Sequence, residues 1–345
     1  TFDSKKSFGI DKFDVIMGNP PFQDKGGKSG KGGHDLYPDF FNNCVNKILN
    51  DNGYIIFITG NKWRAPDKKG SLKTMWDIFQ NMNTRVLRIY SKEKTGELFN
   101  VAARVDYYLV QKNNKYNGTD VIDEKGIKNK IDIRKWDFLP NYNYSEIEKI
   151  ITSGEKGIKI IYSASMYEGS ARNKNLNKSK NGKFKHPVRH SHTIKEGEVI
   201  YWTNEKKGHF GVPKVILIKG TYIYPLNDYE GKYGMTNYSF GIPIKSKKEG
   251  DDIVKALNTK EFLEIISATK WQSGFTDHNM FKYFKPDFYK HFLGKSSKLT
   301  AKEVYGDDPM FEGQDDLASL GFEPEPAPEY SDTPLVLSQS KSKAK

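Results

Sequence analysis

Apolar residues fall in short blocks along this chain, and the spacing changes from block to block. "FDVIM" (13–17), apolar but for Asp14 and closed by Gly18, reads as a strand buried in a sheet. Tyr37, Phe40, Phe41, Cys44, Val45, Ile48 and Leu49 recur at three- and four-residue intervals, which predicts a helix closed by Asn52-Gly53. "YIIFIT" (54–59) is again continuous and strand-like. Ser71 is placed to cap a second helix whose apolar side carries Leu72, Met75, Trp76, Phe79 and Met82. "RVLRIY" (85–90) and "VAARVDYYLVQ" (101–111) read as two further strands. The order strand, helix, strand, helix, strand, strand predicts an α/β sheet with an antiparallel hairpin at one edge.

The pattern then changes. Residues 113–150 are polar and irregular apart from a short helix at "SEIEKIIT" (145–152), and are expected to be a linker. From 151 to 292 short strands ("VIYW", "KVILIK", "YIYPL", "SFGIPIK") alternate with glycine turns. Two helices ("DDIVKALN", "KEFLEIIS") follow, which predicts an α+β unit. Residues 293–345 are acidic and proline-rich with a lysine-rich end, and are expected to be disordered.

Charge narrows the function. The 345 residues carry 55 Lys and Arg against 43 Asp and Glu, a net +12, with 20 Tyr and 21 Phe. Cations and rings together suit nucleic acid, where they meet phosphates and bases. A lysine-rich proteome gives the same composition. Cys44 is the only cysteine, so no intrachain disulfide forms, and an intracellular setting is expected. No apolar run reaches the length of a membrane span, so no membrane partner is expected.

The chemistry concentrates in "GNPPFQ" (18–23). Two prolines fix the backbone and remove two amide donors, which leaves carbonyls as uncontested acceptors. The Asn19 carboxamide adds a second acceptor, and Phe22 adds a ring. Such a site suits a flat heterocycle with an exocyclic amine: Asn19 and the Pro20 carbonyl accept its two hydrogens, Pro21 fixes the shape, and Phe22 stacks. A rigid turn after a strand is the plainer reading of the four residues alone. With its lead-in, "GIDKFDVIMGNPPF" resembles the catalytic motif of adenine-specific DNA methyltransferases of restriction–modification type. "YIIFITGNKW", "RVLRIYS" and "ELFNVAARVDYYLV" resemble the later core strands of that fold. "PKVIL", "KYGMTNYSF" and "KWQSGFTDHNMFKYF" resemble the target-recognition domains of fused restriction–methylation enzymes.

The resemblance implies a fold and a reaction. Residues 1–112 would be the C-terminal half of a Rossmann-like methyltransferase sheet, and 151–292 a DNA target-recognition domain. The reaction would be methyl transfer from S-adenosylmethionine to N6 of an adenine flipped out of double-stranded DNA. A restriction endonuclease domain or subunit is a further implied partner. The family's glycine-rich cofactor loop follows the first strand of its sheet and opens a helix. Here only 12 residues precede the "FDVIM" strand, and "YEGSA" (167–171) and "HFGVP" (209–213) lack that setting. The cofactor half is therefore expected upstream of Thr1, which would leave this chain inactive alone. A DNA-recognition module without catalysis, and a methyltransferase for RNA or protein, are the competing readings.

Weaker signals surround these. "GGKSGKGG" (26–33) lacks the spacing of a phosphate loop, and Lys28 and Lys31 are expected beside the DNA backbone or simply solvated. The basic stretch 171–192 offers Arg172, Lys174, Lys178, Lys183 and Lys185 to phosphates and Arg189 to base edges, unless it is an exposed lysine-rich loop. Lys214 and Lys232, at glycine turns, are further candidates for DNA contact. Zinc held by His186, His190 and His192 is not expected, since no cysteine or acidic residue stands close by. Trp271, Phe275, Phe281, Tyr283 and Phe284 read as core, or as a source of one wedge into a vacated base stack.

Overall fold

The computed structural model describes residues 6, 9–22, 35–100, 103–153, 155–168, 174–193, 197–271 and 275–294. The expected disordered tail lies outside these residues from 295 onward.

The first sheet has six strands in the order β1-β2-β4-β3-β5-β6. β1 (Phe13–Gly18) runs parallel to β2 (Leu49–Gly60), and α1 (Tyr37–Asn43) with a following π-turn (Cys44–Ile48) crosses between them. α2 (Gly70–Asn81) connects β2 to β3 (Asn83–Tyr90). β4 (Val105–Gln111) inserts antiparallel to both β2 and β3. The fold is thus mixed α/β, with the hairpin expected from the sequence. That hairpin does not end the sheet: β5 (Thr119–Ile122) adds parallel to β3, and β6 (Lys128–Ile131) pairs antiparallel to β5. The stretch expected as linker therefore contributes two strands, because Thr119, Val121 and Ile131 are buried against the sheet's core.

Local details differ from the periodicity in instructive ways. α1 gives way to strand at Leu49 rather than at Asn52-Gly53. Gly53 serves the strand pairing instead, since a Cβ there would lie 2.9 Å from the carbonyl of Asp14. Ser71 does not cap α2 but sits in its first turn, where its hydroxyl donates to Asp39. "KEKTGELF" folds as α3 (Lys92–Phe99), capped by Ser91, whose hydroxyl accepts from the Lys94 amide at 3.1 Å.

The remainder holds α4 (Tyr144–Ile150), β7 (Leu176–Asn177), β8 (His186–Thr193), β9 (Gly197–Thr203), β10 (Lys214–Ile218), β11 (Leu226–Asp228), β12 (Gly234–Met235), β13 (Ser239–Pro243), α5 (Lys247–Leu257) and α6 (Lys260–Ala268). They form a three-stranded sheet, β11-β10-β13, and a four-stranded one, β12-β8-β9-β7. Trp271, Phe281 and Phe284 are buried in one core shared with the first sheet, which corrects the reading of any of these three as a wedge.

A polar knot ties the two regions. Arg64 and Asp106 are fully buried, and the guanidinium donates to both carboxylate oxygens, at 2.7 and 3.0 Å. Its remaining hydrogens go to the carbonyls of Leu139 and Pro140 and to the Asn141 side chain, at 3.0, 3.2 and 3.0 Å. Asn141 in turn donates to the carbonyl of Lys270 at 2.8 Å, and Trp271 donates its indole N–H to Leu139 at 2.8 Å. A charge this deep is tolerable only when every donor is met. Asp106→Ala should therefore destabilise the fold by about 3–5 kcal/mol in urea denaturation, with Asp106→Ala/Arg64→Met losing less. A single-variant loss below about 1 kcal/mol, the range of an exposed pair, contradicts this role.

Candidate active site

The parallel pair β1–β2 brings the loop after each strand to one edge of the sheet. Gly18 pairs with Phe57, so Asn19-Pro20-Pro21-Phe22 emerges beside Gly60-Asn61, and Gly60 pairs with Val105 at the start of β4. Asn19 is exposed, Pro20 buried, Pro21 exposed and Phe22 half-buried. Asn19 thus stays open to a ligand while Pro20 anchors the turn.

The loop is held from one side by the residues entering α1. The Phe22 carbonyl accepts from the Leu36 amide at 3.0 Å, and the Phe22 ring meets Tyr37 edge-on with centroids 6.2 Å apart. Asp35 pairs with Lys62 at 3.0 Å, which ties this clamp to the loop after β2. Gly60 is required here: a Cβ would stand 3.1 Å from the Tyr37 ring. Burial, with Asp35 and Asp106 adding to it, pushes the Tyr37 hydroxyl well above its ordinary pKa, so it stays protonated. Beneath lies an aromatic stack, in which Trp63 and Phe79 pack face to face at 4.0 Å and Tyr108 meets Phe79 edge-on at 4.8 Å.

Two further features of this edge escaped the sequence reading. Asn61 donates its carboxamide to the carbonyl of Trp271, which joins the candidate site to the second region. α3 begins next to the end of β3 at the same edge and leaves Leu98 and Phe99 exposed. For the buried pair with Arg64 a signal existed, since Asp106 is the one charge in β4.

Residues 1–99 match the Eco57I restriction-modification methylase family. Over 126 residues the chain is 28% identical to a protein of Mycoplasma pneumoniae (strain ATCC 29342 / M129 / Subtype 1) described as an uncharacterized adenine-specific methylase. That match covers 35% of this chain and 28% of the relative, so the chain spans under a third of that relative's length. Among solved structures it is similar to the Type IIL restriction-modification enzyme MmeI in complex with DNA. The TM-score is 0.46 at 11% identity, over 75% of this chain and 44% of that one. It is also similar to the ATP-dependent Type ISP restriction-modification enzyme LlaBIII bound to DNA, with a TM-score of 0.35 at 12% identity over 79% and 28%. The methylase match takes in the whole of the Asn-Pro-Pro-Phe loop, its clamp and α3.

The expected DNA contacts divide. Lys28, Lys31 and Arg172 lie outside the described residues. Lys174, Lys178, Lys183 and Lys185 are exposed. Lys232 is exposed too, and pairs with Glu230 at 2.6 Å. Arg189 and Lys214 correct the expectation. Arg189 is buried, paired with Glu198 at 2.8 Å and donating to the Ile216 carbonyl at 2.8 Å. Lys214 is fully buried and donates to Asp228 at 2.6 Å and to the carbonyls of His209 and Val212. Asp228 also accepts from the amides of Lys232 and Tyr233, so Lys214 fastens two glycine turns rather than facing a groove. His190 stacks on Tyr201 and His192 on Tyr224, and among the described residues no three His, Cys, Asp or Glu side chains converge on a metal position.

Of the two candidate loops for S-adenosylmethionine, "HFGVP" does not fit. It leads into β10 instead of following a strand into a helix, and the glycine-rich stretch between β1 and α1 lies outside the described residues. Part of "YEGSA" lies outside the described residues.

Because Gly60 makes room for Tyr37, and Tyr37 supports Phe22, Gly60→Ala should overpack this corner. A loss of about 1–3 kcal/mol in thermal or urea unfolding is expected. Unchanged stability would show that the ring moves freely and does not brace the loop.

Proposed function

We propose that this chain carries the target-base half of an adenine-specific DNA methyltransferase of restriction–modification type, acting with S-adenosylmethionine. The observation that carries the proposal is the placement of Asn19–Phe22. The loop ends a strand of a parallel pair, exposes the Asn19 carboxamide, buries Pro20, and holds Phe22 against Tyr37. The family match over residues 1–99 supports it.

In this reading an adenine leaves the duplex and enters the edge between the two loops. Its N6 amine donates to the Asn19 side-chain oxygen and to the Pro20 carbonyl. Two acceptors on one amine draw its lone pair out of ring conjugation and aim it outward. Phe22 covers a ring face, and the clamp from Leu36 and Tyr37 keeps that ring in place. The chain's contribution is orientation and charge placement, with no covalent adduct to a side chain.

The open side of β1 supports placing the methyl donor on polypeptide beyond this stretch. Among the described residues β1 pairs only with β2, yet its Val15 and Met17 are 51% and 70% exposed. An apolar strand with a free edge is a pairing site. We place there a further strand and the cofactor loop it would carry. The division into a catalytic part and a recognition part, with double-stranded DNA as partner and a nuclease domain or subunit attached, belongs to the same proposal.

Asn19→Ala in the complete enzyme should lower methylation of DNA by about a hundredfold or more, the scale of losing one placed polar group. DNA affinity should hold in the same preparation. Wild-type turnover by this variant, read with labelled cofactor, would sink the assignment.

A further inference from the structure

Residues 174–193 contain no Asp or Glu, and the turn between β7 and β8 is built rather than loose. The Asn177 side chain accepts from the Ser179 amide at 2.9 Å. The Asn181 side chain accepts from the amides of Lys183 and Phe184 at 3.0 and 2.9 Å. Asn181 itself donates to the Phe184 carbonyl at 3.0 Å. The backbone satisfies itself, so Lys178, Lys180, Lys183 and Lys185 project as exposed cations.

Rings lie under several of these and neighbouring lysines. Lys180 stands 5.3 Å from the Trp202 ring, Lys183 5.5 Å from Phe184, and Lys206 5.9 Å from Phe210. Trp202, on β9, is registered opposite Asn177 of β7 and Pro187 of β8. Paired residues share a sheet face, so the indole lies between a carboxamide and a proline with a lysine above it. The chain has five tryptophans. Trp63, Trp76, Trp136 and Trp271 are buried in the shared core, whereas Trp202 is half-buried and belongs to no core cluster.

A half-buried ring outside the core, with Lys180 over it and an acid-free lysine turn beside it, matches the needs of one polymer. Lysines neutralise phosphates, and an indole stacks on any base face. In a duplex those faces are already stacked on each other, so the ring has most to offer an unpaired base. We propose that Trp202 and the Lys178–Lys185 turn form a single-strand DNA site, in which the indole takes one unpaired base and the lysines follow the adjoining phosphates. The site rests on the DNA reading of the previous section, and base flipping is the event that would leave unpaired nucleotides beside it.

The full 345-residue chain can be titrated with a fluorescein-labelled mixed-sequence DNA strand, its duplex, and the matching RNA, across a salt series. Single-stranded DNA should quench tryptophan emission, since Trp202 is the accessible indole. Trp202→Leu should abolish that quenching and weaken single-strand binding about tenfold, with the salt slope unchanged. Trp202→Phe should recover part of the affinity. Lys180→Ala with Lys183→Ala should instead flatten the slope, by about 0.7 for each phosphate no longer neutralised. Melting curves report whether the leucine variant folds; if it does not, wild-type quenching and the phenylalanine variant decide. Wild-type binding without quenching, or an equal loss on strand and duplex, overturns the Trp202 site and leaves the DNA reading standing. Absence of salt-sensitive binding to either DNA overturns both, and tighter binding of RNA overturns the choice of polymer.

Discussion

Everything at the carboxyl edge of the first sheet depends on the buried pair of Arg64 and Asp106. Asp106 opens β4, the strand that runs against both of its neighbours, and Arg64 stands in the loop after β2. Two charges without water are stable only if their hydrogen bonds are complete, and here the completing partners come from residues 139–141. The pair cannot form until the polar stretch after β6 has folded back over the sheet. A local ion pair thereby makes a nonlocal demand, and the loop beside Asn19 inherits its shape from a segment 75 to 77 residues away from Arg64.

The same demand explains why the second region is not a loosely tethered module. Asn141 holds the carbonyl of Lys270, Asn61 holds that of Trp271, and Trp271 returns its indole hydrogen to Leu139. Lys270 goes on to donate to Thr221 at 3.0 Å, in the connection between β10 and β11. The chain of bonds thus runs from the loop beside the Asn-Pro-Pro-Phe turn into the second region's sheet. Movement at one end would strip buried carbonyls of their donors at the other, at roughly 1–3 kcal/mol for each group left unmet.

Much of this was legible in the residues. The apolar runs of β2 and β3 and the apolar sides of α1 and α2 marked the α/β order, because each of these elements buries one continuous set of side chains; β1 reads as buried but leaves Val15 and Met17 exposed. The Asn-Pro-Pro-Phe turn was legible for a different reason: two consecutive prolines at a strand's end restrict the backbone in a way few folds need. β5 and β6 were not, since each is only four residues long, and β5 buries two side chains and β6 only Ile131. Arg189 and Lys214 misled because a charged side chain at a turn defaults to solvent. Their burial is decided by Glu198, Asp228 and carbonyls that only the fold brings near. The clamp at Tyr37 was hidden likewise, as its partners Phe22 and Gly60 are set by strand pairing.

The two exposures at opposite ends of the chain's chemistry have a common logic. Val15 and Met17 are apolar and open on a strand with one free edge, while Trp202 is aromatic and half-open among lysines. A strand that exposes Val15 and Met17 lacks a hydrophobic neighbour, and polypeptide is the cheapest cover, since its backbone can also pair with the edge. A ring exposed among cations is poorly suited to that neighbour, because burying Lys180 and Lys183 against protein would require matching acids and cost their hydration. Polyanion satisfies both the ring and the charges at once. The free strand edge beside one patch and the lysines around the other are therefore what separate a surface awaiting more protein from a surface awaiting nucleic acid.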